Sequence, residues 1–182
     1  MIIAIIPARG GSKRLRKKNI YPIWGKPLLH WSIKAALDSK KVDAVWVTTE
    51  DDEIAEVAVE SGANLFKRNP KFSDDNTYKM VAIRNCFNSI ESSGSAVVSL
   101  QANSPEITGD ILDEAIDTFF KYDRNELISV DKNLMMNAAF RIMRPWYVNQ
   151  KELSTKTGVF VCDVHDIHTI DDIKLIEGRT QR

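Results

Sequence analysis

Ile2-Ile3-Ala4-Ile5-Ile6-Pro7-Ala8-Arg9-Gly10-Gly11-Ser12-Lys13-Arg14-Leu15-Arg16-Lys17-Lys18-Asn19 sets the reading of everything that follows it. Its first five residues form an apolar run, too short to cross a membrane and suited to a strand buried on both faces. Pro7 ends that run, and Gly10-Gly11-Ser12 replaces it with a turn rich in backbone N–H groups. Glycine lets main chain approach a ligand closely, and such a turn can wrap phosphate oxygens. Six cations then fall within ten residues: Arg9, Lys13, Arg14, Arg16, Lys17 and Lys18. That density beside a glycine turn suits a polyphosphate, and a nucleoside triphosphate is the expected ligand. A solvated basic loop is the plainer alternative.

Outside the loop the charge is balanced. The 182 residues carry 25 basic and 25 acidic side chains, a formal net charge of zero. A general nucleic-acid binder carries a basic excess, so that class is disfavoured. The length suggests one domain with a real core. No run reaches transmembrane length, and the apolar start has no basic region before it, so neither membrane span nor signal peptide is expected. Two cysteines, Cys86 and Cys162, are too few for a disulfide scaffold and point to a reduced, cytoplasmic setting.

Strand-like and helix-like periodicities alternate after the loop. Helices are expected from about Leu28 to Lys40, from an Asp52-containing cap at Thr49 through Ser61, over Thr77–Ile90, around Leu112–Phe119 and over Thr169–Glu177. Strands are expected at Ala44–Thr48, Asn64–Lys67, Ala96–Leu100, Leu127–Val130 and Gly158–Cys162. This order argues for an α/β, Rossmann-like fold, a mainly parallel sheet with helices on both faces. Residues 131–156 are the least readable. Neither Gly-x-x-x-x-Gly-Lys-Ser/Thr nor Gly-x-Gly-x-x-Gly is present. The place of the basic loop, between a buried strand and a helix, favours a site at the carboxyl end of that strand.

Ile6-Pro7-Ala8-Arg9-Gly10-Gly11-Ser12-Lys13 followed by Lys18-Asn19 resembles the signature of the acylneuraminate cytidylyltransferases and relatives that activate other nonulosonic acids and 3-deoxy-manno-octulosonate. The likeness continues through Gly25-Lys26-Pro27-Leu28-Leu29, Val47-Thr48-Thr49-Glu50-Asp51-Asp52-Glu53-Ile54-Ala55, Arg68-Asn69-Pro70 with Asp74-Asp75, Leu100-Gln101-Ala102-Asn103-Ser104-Pro105 and Asp166-Ile167-His168-Thr169. The resemblance implies a nucleotide-diphospho-sugar transferase fold that moves CMP from CTP to an acidic sugar, for surface glycan synthesis.

It also implies roles. Arg9, Gly10, Gly11, Ser12 and Lys13 would hold the triphosphate, with Arg9, Lys13 and above all Lys18 neutralising charge as pyrophosphate leaves. Asn19 would fix the adjoining nucleotide, and Arg68, with Asp75 and Thr77, the cytosine end. Asp74 and Asp75 could equally begin a helix. Gln101 and Ser104 would face the acceptor, unless Gln101 is only a surface-loop residue. Asp166 and His168, two apart and so on one side of an extended chain, would meet a magnesium ion. Imidazole is a poor magnesium ligand, so His168 could instead bind a phosphate or the acceptor. Cys162, His165 and His168 lack a known zinc spacing.

The family has an arm between the positions of Val130 and Asp166 that joins two subunits and closes over the partner's sugar. Here it is shortened, at about 131–157. Phe140-Arg141-Ile142-Met143-Arg144-Pro145-Trp146-Tyr147 could line an acceptor pocket or form a reduced dimer contact, and a homodimer is expected. The acceptor loop departs from the family pattern, which leaves room for a phosphonate or other acidic acceptor. The shortened arm and His168 leave room for a non-catalytic nucleotide-binding homologue.

Overall fold

The computed structural model describes residues 1–74, 77–90 and 94–179. Strand β1 (Ile2–Pro7) lies in the middle of a seven-stranded sheet, and alternate side chains feed opposite faces. Ala4 and Ile6 enter one core; Ile3 and Ile5 enter the other. That two-sided burial is why the strand reads as unbroken aliphatic sequence rather than as an alternating pattern.

A two-residue hairpin follows the basic loop, β2 (Pro22–Ile23) against β3 (Lys26–Pro27). Its turn places Trp24 at φ 49° and Gly25 at φ 76°, the left-handed pair that a tight hairpin needs. Helix α1 (Leu28–Asp38) then leads to β4 (Ala44–Thr49), α2 (Asp52–Glu60) and β5 (Asn64–Lys67). The cap of α2 is Asp51, whose side chain accepts from the Ile54 N–H, and not Thr49. Thr49 Oγ1 instead accepts from the Asp51 N–H, which steers the cap into place.

Helix α3 (Lys79–Ser89), β6 (Ala96–Leu100), α4 (Gly109–Lys121), β7 (Glu126–Val130), β8 (Met136–Met143), β9 (Thr157–Val161) and α5 (Ile170–Glu177) complete the order. The sheet runs β5-β4-β1-β6-β8-β7-β9. Strand β8 pairs antiparallel with both neighbours, and every other pairing in the sheet is parallel. Leu29, Ile33, Ile54, Leu112, Ile116 and Phe119 cover one face, while Met80, Ile83 and Cys86 cover the other.

The strand order turns at β1: the chain goes out through β4 to β5, then returns to place β6 on the other side of β1. Loops leaving β1 and β6 therefore part in opposite directions from adjacent carboxyl ends. Open α/β sheets bind ligands at such a point. In this chain the two loops are the basic stretch after Pro7 and Gln101–Thr108.

The stretch that resisted sequence reading is built into the sheet. Within it, Ala139, Phe140, Ile142 and Met143 are buried core residues. Arg141 forms a close ion pair with Glu126, itself 1% exposed. Trp146 lies 61% exposed.

Candidate active site

A cleft of about 540 Å³ opens at the switch point. Arg9, Ser12, Lys13, Arg14, Lys18 and Asn19 form one wall, Arg68 and Thr77 one end, and Lys79, Ser99, Gln101 and Asn103 the other side. A larger hollow of about 1040 Å³ lies beside Trp24, Trp31 and Glu106. It has only Lys34 and Arg179 for cations, balanced by several carboxylates, and so lacks the chemistry of a polyphosphate site.

The basic loop divides its charges. Arg9, Lys13, Arg14 and Lys18 face the cleft. Lys17 turns away at φ 54° and its ammonium bonds both oxygens of Glu53 at 2.6 and 2.7 Å. Arg16 is exposed and lies outside the lining. Asn19 is buried and donates from Nδ2 to the Arg9 carbonyl at 2.9 Å, closing the loop on itself.

The two glycines have different work. Gly10 donates its N–H to Glu50 Oε1 at 2.9 Å, so that amide holds the loop rather than standing free for phosphate. A Cβ at Gly10 would meet Asp51 Oδ2 at 2.2 Å, so no other residue fits without displacing the cap of α2. A Cβ at Gly11 would meet nothing within 4 Å.

Arg68 is 4% exposed and its guanidinium is heavily engaged by protein. It donates to Ser73 Oγ at 2.6 Å, the Thr48 carbonyl at 2.5 Å and Glu50 Oε2 at 2.8 Å. With a longer bond to the Ala8 carbonyl at 3.4 Å, it ties the chain just after β1 to the end of β4. Burial favours protonation of Glu50, but bonds from Ser73 and the Gly10 N–H, and the charge of Arg68, hold its carboxyl below the usual 4.5. Thr77 lines the cleft and donates its N–H to Asp74 Oδ1 at 2.7 Å. Asp75 falls outside the described residues.

The Asp166-Ile167-His168 segment arrives from the far end of the chain and is pinned across the cleft. Ile167 is fully buried among Ile23, Leu28, Ile173 and Ile176. Burial of one such side chain is worth ~1.5–3 kcal/mol. Its main chain exchanges bonds with Asn103: the Ile167 N–H donates to the Asn103 carbonyl at 2.8 Å, and Asn103 Nδ2 returns to the Ile167 carbonyl at 2.9 Å. Lys18 Nζ donates to that same carbonyl at 3.2 Å. Capping of α5 by Thr169, reciprocated by Asp172, fixes the segment from the other side. The Asp172 carboxyl also takes the ring of His165 at 2.7 Å.

Asp166 accepts from Gln101 Nε2 at 3.1 Å and from the Ser104 hydroxyl in a short bond. Ser104 is fully buried, so it supports Asp166 from behind instead of facing the cleft. Burial pushes the Asp166 carboxyl above its ordinary value, against the pull of Ser104, His168, Lys79 and Gln101. His168 Nδ1 lies 3.3 Å from the Arg14 guanidinium. Burial, then Lys18 and Arg14, lower its pKa. Burial and the charge of Arg14 likewise lower that of Lys18, with Asp166 opposing them.

For magnesium, Asp166 offers one hard oxygen donor, since each carboxylate oxygen keeps a further acceptor position beyond the bond described. Phosphate oxygens and water would complete such a shell. His168 does not suit it: the imidazole is a soft donor beside a guanidinium. Among the described residues, no group of three or more His, Cys, Asp or Glu could hold an ion by itself.

Two residues of the site went unread in sequence. Glu50 stands in the acidic run Glu50-Asp51-Asp52-Glu53, where nothing marks which carboxylate is used inside. Lys79 is a polar position on an otherwise apolar helical stripe, with no motif around it.

A switch-point cleft with a cationic wall lies on a Rossmann-like sheet, and Asp166 is strapped beside it through Gln101. The chain belongs to the cytidylyltransferase family, whose model matches residues 3–173. It is 39% identical over 129 residues to N-acylneuraminate cytidylyltransferase A of Danio rerio, covering 71% of this chain and 30% of that protein. It is 35% identical over 152 residues to the pseudaminic acid cytidylyltransferase of Campylobacter jejuni, covering 81% of this chain and 63% of the relative. The chain thus spans less than two thirds of either relative. In fold it is similar to a CMP:2-keto-3-deoxy-manno-octonic acid synthetase solved with CTP, with TM-score 0.79, 14% identity and coverage of 97% and 96% of the two chains.

Proposed function

We propose that this protein transfers CMP from CTP to an acidic sugar, a sialic acid or another nonulosonic or related keto-acid sugar, with release of pyrophosphate. One observation carries the reading: the bond from Lys18 to the Ile167 carbonyl, which joins the cationic loop to the Asp166 segment across the cleft. Triphosphate and acceptor would meet at that junction.

Arg9, Lys13, Arg14 and Lys18 hold the phosphates, with Ser12 beside them. An acceptor hydroxyl oxygen attacks the α-phosphorus in line as its proton is released to water. The bond from that phosphorus to the bridging oxygen breaks, and pyrophosphate leaves with the electron pair. Catalysis on this account is positioning plus fixed positive charge where negative charge grows. Lys18, anchored by a carbonyl rather than by a carboxylate, has among the described residues no ion pair to compete with the leaving group for its ammonium. Magnesium, held by Asp166, would supply further neutralisation of the phosphate oxygens. Arg68 and Thr77 form the end of the cleft that would take the cytosine.

A homodimer in a reducing cytoplasm belongs to the same reading. Its support is the exposed apolar rim made by Leu134, Met135, Met136, Val159 and Val161, and two buried, free cysteines. Burial pushes their thiols up to about 12 at Cys86 and about 11 at Cys162, which keeps both unreactive.

The test is pyrophosphate release with each of the four nucleoside triphosphates against a panel of sugar acids and phosphonates. Release with CTP and a keto-acid sugar is expected. Release only with phosphonates would move the acceptor class, and binding of CTP without release would leave a nucleotide-binding homologue.

A further inference from the structure

Lys79 opens α3 and lines the cleft on the side away from the cationic loop. Its ammonium donates to Gln101 Oε1 at 3.1 Å, a neutral amide oxygen. Gln101 passes the contact on through Nε2 to Asp166 Oδ2 at 3.1 Å. Among the described residues no carboxylate lies within ion-pair distance of Lys79, although burial acts on it strongly. The Asp166 charge acts on Lys79 only from beyond ion-pair distance. A half-buried ammonium whose one hydrogen-bond partner is an amide remains costly, and an arriving anion would relieve it.

Arg141, a cation close enough to act on Lys79, already has the Glu126 carboxylate. Gln101 is itself held rigid: its N–H donates to the Ala139 carbonyl at 2.9 Å, and its carbonyl accepts from Ser32 at 2.8 Å. Lys79 thus presents one positive charge at a fixed place, one side chain removed from Asp166. The phosphates have their own four cations on the opposite wall, so this one is left for the second substrate.

We infer that Lys79 is the residue that recognises the carboxylate of the acceptor, and so determines that the acceptor must be an acid. The inference rests on the proposed transfer reaction and deepens it. It gives the two walls separate anions: triphosphate on the loop after β1, carboxylate on the first turn of α3.

The experiment uses N-acetylneuraminic acid and 3-deoxy-manno-octulosonic acid, each beside its C1 carboxamide. Wild type, Lys79→Gln and Lys79→Arg are compared for pyrophosphate release with CTP, and for binding of each compound to the CMP-loaded protein by calorimetry. Wild type should prefer acid over amide by roughly 10- to 100-fold, the worth of a charge-assisted bond. Lys79→Gln should erase that preference while leaving the KM for CTP and the melting temperature near wild type. Lys79→Arg should keep part of it. Equal losses for acid and amide in Lys79→Gln would mean that Lys79 merely positions Gln101, and would overturn the inference. If no compound turns over but wild type binds the acids and Lys79→Gln does not, the inference stands and the transfer reading falls. If wild type neither turns over nor binds the acids, both fall.

Discussion

The two walls of the cleft are made in opposite ways. The cationic wall is one continuous stretch, Arg9 to Asn19, hung on the end of a central strand and closed by a bond between its own two ends. The opposite side gathers Lys79 from α3, Gln101 from the loop after β6 and Asp166 from the segment before α5, with Ser104 behind that carboxylate and Gln101 and Asp166 65 positions apart. A local wall tolerates change around it, because its geometry is set by its own turns. A gathered wall depends on the sheet, on Ile167 in its apolar socket and on the Asn103 exchange. The bond from Lys18 to the Ile167 carbonyl joins them, with the Arg14–His168 contact beside it.

Lys18→Ala should break the comparison most severely, since it removes both a charge and the strap. Turnover should fall by about a hundredfold or more, the usual cost of one fixed electrostatic donor, with a much smaller change in the KM for CTP. Near-normal turnover would dissolve the link between the walls.

Glu50→Gln comes next and acts on stability. Glu50 neutralises the buried Arg68 and holds the Gly10 N–H, so loss of its charge should cost about 3 kcal/mol. Its folded pKa lies below the unfolded 4.5, so its contribution is present above that pH and is lost as pH falls through the folded value. Denaturation midpoints followed from pH 6 downward should drop for wild type below about pH 4.5 and flatten in the variant. Parallel pH curves for the two proteins would show that Glu50 is not the group responsible.

CTP should protect the protein against heat more than ATP or GTP at equal concentration, because a ligand bound only by the folded state stabilises it by mass action. Arg68 is committed to protein oxygens, so this selectivity must come from the shape of the Arg68–Thr77 end and its remaining polar groups. Equal protection by all nucleotides would remove the base-reading role from that end.

The smallest expected effect belongs to Lys17, the neighbour of Lys18 that faces outward. Lys17→Asn keeps the left-handed backbone and loses only an exposed pair with Glu53, worth at most about 1 kcal/mol. Turnover should change by less than about twofold. A large loss would mean that the loop's charges act collectively, without the division seen between its two faces.

The same contrast explains what was legible in the sequence. Ile2–Pro7 and the loop after it declare themselves, because two-sided burial leaves an aliphatic run and a turn needs glycine. The motif marks Lys18 and not Lys17, but nothing in composition says that Lys17 faces away; the left-handed φ that turns it outward is a property of the folded loop. Strand β8 escaped notice because Ala138 at φ 58° and a register shift opposite Ile128–Val130 break its alternation. Asp166 and Ser104 could both be singled out by their motifs, but Ser104 was expected to face the acceptor, and only the fold shows it buried behind that carboxylate. Lys79 has no sequence signal, since its meaning depends on which strand end folds against it.

Asp166→Asn tests the central claim most directly, followed by pyrophosphate release across a magnesium titration and by CTP-dependent melting. The account predicts turnover lost at every magnesium concentration, with protection by CTP retained on the intact cationic wall. A fully active Asp166→Asn protein would contradict it, for the two walls would then have no chemistry in common.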